Sequence, residues 1–186
     1  MCSDPEVMRY IGSGATRTRA QAQASIDAYE REWEATGFGL FAAERLADGR
    51  FLGFTGLSEP TFLPEIMPAI EIGWRLARPA WGHGYASEAA QATLDFGFKK
   101  LGLSEIVGVY QAENHASARI MQKLGMRFDR ETVDPTCGRL VRVYRISSKR
   151  RPQWPNRSAR ARYSSPPAPV QAAWIRVRGS SGSRSA

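Results

Sequence analysis

Between positions 69 and 101 the chain passes from a strand to a helix through a loop built on two glycines, and this unit limits the folds open to it. Ile70, Ile72 and Trp74 alternate with Glu71 and Gly73, which predicts a strand over residues 69–77. Arg78-Pro79-Ala80-Trp81-Gly82-His83-Gly84 comes next, and a helical pattern then runs over residues 85–101 to a stop at Gly102. Residues 106–110 form the next short strand. Strand, helix, strand is a crossover unit, and it implies a parallel pair inside a sheet. Gly82 and Gly84 let the backbone approach a ligand closely. The helix start adds unpaired N–H groups and a positive dipole end, so the unit suits an anion such as a pyrophosphate. It is not a Rossmann fingerprint, because Ser87 takes the third glycine position, and not a P-loop, which needs Gly-Lys and then Ser or Thr. On spacing alone it reads equally as a tight structural turn.

The elements around this unit fix the fold class. Ala22, Ile26, Tyr29 and Trp33 recur at helical spacing over residues 16–36, and Gly37 stands where a cap belongs. Residues 38–46 and 51–57 are strands joined by the turn signal Asp48-Gly49. Pro60, Pro64 and Pro68 forbid a regular element after the second strand and make a loop there. A second helix-forming stretch covers residues 114–124 and ends at Gly125. Strands near residues 126–131 and 140–146 close the pattern. The order is helix, three strands, helix, strand, helix, two strands. It predicts an α/β (α+β) domain with a mixed, mainly antiparallel sheet flanked by helices.

Charge divides the chain in two. The net charge is +8, yet residues 147–186 hold nine Lys or Arg and no acid, while residues 1–146 carry seventeen bases against eighteen acids. The domain is therefore residues 1–146. Residues 147–186, rich in Arg, Ser, Pro and Ala, read as a basic, low-complexity and disordered tail. Such a tail is either solvated chain without a role or a weak tether to RNA or another polyanion. Cys2 and Cys137 lie far apart and neither has a Cys or His at ligand spacing, which argues against a disulfide framework and a metal site. Residues 1–6 lack the basic and apolar regions of a signal peptide, and no run is long enough to span a bilayer. A cytoplasmic protein with no membrane contact, monomeric or dimeric, is the expectation.

Four runs carry a further signal: Glu71-Ile72-Gly73-Trp74-Arg75-Leu76, Trp81-Gly82-His83-Gly84-Tyr85-Ala86-Ser87-Glu88-Ala89, Asn114-His115-Ala116-Ser117 and Lys123-Leu124-Gly125-Met126. In this order, over residues 4–146, they resemble the GNAT superfamily of N-acetyltransferases, and within it the RimJ/RimL branch that acetylates ribosomal-protein N-termini, with its small-molecule relatives. The resemblance implies acetyl-CoA as co-substrate, no metal, and transfer to a primary amine in a ternary complex. The acceptor is a protein N-terminus or a small molecule. It implies that Trp81, Gly82, His83, Gly84, Tyr85 and Ala86 hold the CoA pyrophosphate through backbone N–H groups. The pantetheine arm would pair with the strand of Trp74 and Leu76 where that strand splays from the next. Asn114 and Ser117 would face the thiol end.

For the chemistry, Glu71 is the candidate proton acceptor, directly or through water. Ser117 is the candidate hydrogen-bond donor to the leaving thiolate. Each also has a plain reading: Glu71 as a carboxylate on an alternating strand, Ser117 as a first-turn residue, Asn114 as a helix N-cap. His83 reads as a loop residue, Cys137 as a turn residue, and Glu44 as a second carboxylate candidate. The chain departs from the family at Met121, where many members carry a Tyr acid, at Pro79 for an Arg or Gln, and at Met126 for a Phe. Family members also have a strand ahead of the equivalent of Asp4. A truncated start with an open sheet edge, and an end of foreign origin, are thus expected. Two other functions fit: a catalytically impaired, CoA-binding remnant, and an RNA-binding protein acting through the tail.

Overall fold

The structure, a computed structural model, describes residues 1–150, 162–164 and 173–179. The expected helices and strands over residues 1–147 all form. A short helix α1 (Pro5–Met8), capped by the Asp4 carboxylate, precedes them. Helix α2 (Arg19–Thr36) begins three residues later than the periodicity suggests, because Thr18 and Gln21 close a reciprocal capping box. The Thr18 hydroxyl accepts the Gln21 N–H at 3.2 Å, and the Gln21 side chain accepts the Thr18 N–H at 2.9 Å. The proline loop holds one 3-10 turn, Pro64–Ile66.

The strands are β1 (Leu40–Arg45), β2 (Phe51–Ser58), β3 (Glu71–Leu76), β4 (Glu105–Gln111), β5 (Arg127–Asp134), β6 (Arg139–Ser147), β7 (Arg162–Ser164) and β8 (Trp174–Val177). They form one sheet in the order β5-β6-β4-β3-β2-β1-β8-β7. Helix α3 (Tyr85–Lys99) makes the crossover between β3 and β4, which are parallel as expected. Helix α4 (His115–Lys123) lies between β4 and β5.

Alternation along the strands sends side chains to two faces. On one, Ile72, Leu57 and Ile106 pack under Ala89, Leu94 and Phe96 of α3, and Trp33 of α2 meets Phe41 edge-on at 5.2 Å. A buried hydroxyl pair, Thr55 with Thr93 at 3.3 Å, ties α3 to β2. On the other face Val107, Val141 and Val143 pack with Leu63 and Ile66 of the proline loop.

The tail departs from expectation. Residues 173–179 are not loose chain: β8 runs parallel beside β1, with Ala42 opposite Trp174 and Arg45 opposite Val177, and β7 pairs antiparallel with β8. Ala173, Ile175 and Val177 are at most 2% exposed and join the α3 core. The edge expected to stand open beside β1 is covered by this segment. The sequence hides it because four residues alternating Trp, Ile, Arg, Val inside an Arg/Ser-rich stretch give too short a period to read. Ser147 ends β6 and residues 148–150 form a 3-10 turn; residues 151–161, 165–172 and 180–186 of the expected tail lie outside the described residues.

Candidate active site

Strands β3 and β4 are hydrogen-bonded neighbours only at their start. Glu71 is in register with Val107, and the Val107 N–H donates to the Ile70 carbonyl at 2.9 Å. Beyond that pair they part. Backbone direction alternates along a strand. The Ile70 carbonyl faces β4, while the Ala77 N–H donates to Leu52 of β2 at 2.8 Å. The main-chain groups of Trp74 and Leu76 therefore face the opening between the strands. The Trp81 indole donates to the Leu76 carbonyl at 2.9 Å and folds the glycine loop back over the strand end.

The opening continues into a cleft of about 350 Å³. Trp74, Leu76 and Trp81 form one wall. Gly82, Gly84, Tyr85 and Ala86 form its end, at the start of α3, and Asn114 and Ser117 stand opposite on α4. Gly82 and Gly84 have φ of 79° and 78°, a backbone that a side chain would strain. A Cβ at Gly82 would meet no atom within 4 Å, so the loop borders open space. Gly84 is the N-cap of α3 and offers no side chain to the first-turn N–H groups, which leaves them for a ligand.

The Asn114 side chain caps α4 by accepting the Ser117 N–H at 3.1 Å. That fixes the first turn and sets Ser117 on the cleft wall. Met121, at the family's Tyr position, is 1% exposed and sits under Gly108, so it belongs to the core.

Three sequence candidates, His83, Glu71 and Glu44, do not line the cleft. His83 lines a separate recess with Arg45 and Phe51, its ring 5.6 Å from that of Tyr85. Glu71 stands at the closed end of the fork. Burial pushes its carboxyl up to about 8, against the hydrogen bond it accepts from the Val109 backbone. Glu44 ion-pairs with Arg176 of β8 at 3.3 Å, at the far side of the sheet. Cys137 is a turn residue whose thiol donates to Asp134 at 3.2 Å.

Sequence reasoning missed the remaining walls. Glu6, Val7, Arg9, Tyr10 and Ile11 of the N-terminal segment also line the cleft. The Arg139 guanidinium holds this segment, donating to the carbonyls of Arg9 at 2.8 Å and Ser13 at 2.6 Å and to the Gln111 side chain at 2.8 Å. Gln111 in turn donates to the Gly12 carbonyl at 2.7 Å. No local pattern reveals contacts between segments so distant in sequence. Arg119 and Lys123 also line the cleft, and here a signal existed: with Ala116 and Ile120 they form one helical stripe. The cleft is thus apolar along its strand wall, rich in backbone donors at one end and cationic along α4. Among the described residues no cluster of His, Cys, Asp or Glu could hold a metal, and no helix is long and apolar enough to cross a membrane.

The family described as acetyltransferase (GNAT) domain matches residues 1–127. The uncharacterized Bacillus subtilis protein YkkB is 33% identical over 128 residues, covering 69% of this chain and 72% of YkkB. The uncharacterized N-acetyltransferase YnaD of the same organism is 34% identical over 125 residues, or 67% and 68% of the two chains. Among solved structures, a GNAT-family acetyltransferase from Bacillus anthracis superposes with a TM-score of 0.65 at 27% identity, covering 80% of this chain and 85% of that one.

Proposed function

This chain belongs to the GNAT acetyltransferase family, and from that premise we propose that it transfers an acetyl group from acetyl-CoA to a primary amine by direct attack in a ternary complex. The observation that carries the donor is the fork between β3 and β4 running into the glycine loop. The residues fit the group. The first-turn N–H groups of α3, with Gly82 and Gly84 presenting bare backbone, suit a diphosphate. The outward main-chain groups of Trp74 and the Leu76 N–H suit an amide-bearing arm laid along the strand, the Leu76 carbonyl being taken by the Trp81 indole. Arg119 and Lys123 add positive charge beside the cleft. Acetyl-CoA, when bound, supplies an acyl thioester.

The chain's own groups then have few tasks. Glu71 takes the proton that the amine must lose, directly or through one water; with its carboxyl raised to about 8, the deprotonated form is a stronger base than an ordinary carboxylate and its population grows as pH rises. Ser117 donates a hydrogen bond toward the thiol end, a modest contribution because an alcohol is a weak acid. Met121 cannot donate a proton, so no side-chain acid stands at that position of α4. The segment held by Arg139 walls the acceptor side. We read the chain as a RimJ/RimL-like member working in the cytoplasm, with a protein N-terminus or a small-molecule amine as acceptor.

Calorimetric titration with acetyl-CoA, and then detection of released CoA thiol over a panel of amines and N-terminal peptides, tests this. Saturable binding and amine-dependent thiol release are expected. A folded chain that binds no acetyl-CoA would sink the reading.

A further inference from the structure

Glu88 lies in the first turn of α3, immediately beyond the glycine loop. An unengaged carboxylate at that place opposes an anion held by the same helix end. It is not unengaged. One Glu88 oxygen accepts the Arg178 N–H at 3.0 Å and the other accepts the Gly179 N–H at 2.9 Å. Both donors come directly after β8, whose Ile175 and Val177 are fully buried in the α3 core. Gly179 has φ of 74°, and a Cβ there would stand 2.6 Å from the Tyr85 ring and 2.8 Å from the His83 carbonyl. The segment after β8 thus lies against the loop backbone, where only a glycine fits.

From this we infer that β8 and residues 178–179 form a clamp on Glu88 that positions the glycine loop for its anionic ligand, so that docking of the C-terminal strand and binding of acetyl-CoA favour each other. Glu88 is a positioning residue, acting through the loop. The inference rests on the cofactor reading above. Two properties of the contact carry it. Two backbone donors occupy both carboxylate oxygens and offset part of the negative charge beside the helix end. Strand, carboxylate and loop are also joined as one body, so order in one raises order in the other, and the coupling is reciprocal.

The test uses the full chain. Acetyl-CoA affinity is measured by calorimetry for the unmodified protein, Glu88→Ala, Glu88→Gln and Gly179→Val, with hydrogen exchange at residues 174–179 with and without acetyl-CoA. Removing a negative charge near a bound diphosphate should by itself tighten binding. The clamp requires the opposite: Glu88→Ala and Gly179→Val each weaken binding by about tenfold. Glu88→Gln, which keeps one acceptor oxygen, recovers part of the loss. Acetyl-CoA slows exchange at residues 174–179 in the unmodified chain and not in Glu88→Ala. A purely structural strand would lower the melting temperature of the variants while affinity and ligand-induced protection stay unchanged, and that result overturns the clamp alone. Absence of saturable binding in the unmodified chain overturns the cofactor reading and the clamp with it.

Discussion

The Glu71 carboxylate accepts the backbone N–H of Val109, one strand over, at the point where β3 and β4 part. This contact closes the fork from below: Val109 would otherwise present an unpaired donor to the gap. It also holds an acid in a place that disfavours its charge.

That placement sets a pH dependence. Burial raises the Glu71 carboxyl from 4.5 to about 8. The folded value lies above the unfolded one, so its contribution to stability is fully present below about 4.5 and is lost as pH rises through about 8. A carboxylate acting as base must be deprotonated, so kcat/KM climbs with pH and levels off above about 8. Glu71→Gln should lower kcat/KM by roughly a hundredfold and remove that rising limb. A pH–rate profile of the two proteins checks both, and an unchanged limb in the variant would reassign the base.

Gly82 separates a ligand role from a folding role. A Cβ there meets nothing, while its φ of 79° makes any side chain strained by about 1–2 kcal/mol. Gly82→Val should therefore fold with a modestly lower melting temperature and lose most acetyl-CoA binding. Gly84→Val, at the α3 N-cap, should do the same. Calorimetry beside a thermal melt distinguishes lost binding from lost fold.

Arg139 holds the N-terminal wall through two carbonyls and Gln111. Arg139→Ala removes these hydrogen bonds, two of them exposed so that water takes over the acceptors, at a cost of about 0.5–1.5 kcal/mol. The expected result is faster hydrogen exchange over residues 9–14 and a raised KM for the amine, with acetyl-CoA affinity unchanged. Arg139→Lys should rescue only in part, since an ammonium cannot reproduce the planar fork of donors.

Ile175 tests the C-terminal strand as part of the core. Its side chain is 0% exposed. Ile175→Ala should cost about 2–5 kcal/mol, against well under about 0.5 kcal/mol for a substitution at exposed Arg178. Chemical denaturation of the two variants gives the comparison directly. Equal stabilities would mean that the strand does not dock in solution.

Much of this protein is readable in the chain because its signals are local. Trp33 to Gly37, Asp48-Gly49 and Gly82 to Tyr85 each sit within one or two turns of the structure they produce, so period and turn chemistry suffice. Boundaries move by a few residues where capping decides, as at Thr18. The glycine loop, the Asn114 cap and the cleft-lining Ser117 are legible because each belongs to one helix start.

The rest depends on partners distant in sequence. Nothing near Arg139 points to Arg9, and nothing near Trp174 points to Ala42; β8 looks like tail because its four residues gain stability only once β1 and α3 exist to receive them. Glu71 shows the division within one residue. Its position on an alternating strand is visible in the sequence, but its protonation is set by how much water the folded sheet excludes and by the Val109 N–H. The elements over residues 16–147, their order and the bare-backbone loop are written in the chain, since they arise from interactions a few residues long. Which edge is covered, which wall closes the cleft and how acidic its carboxylate is are settled in three dimensions, since burial and charge belong to the assembled fold.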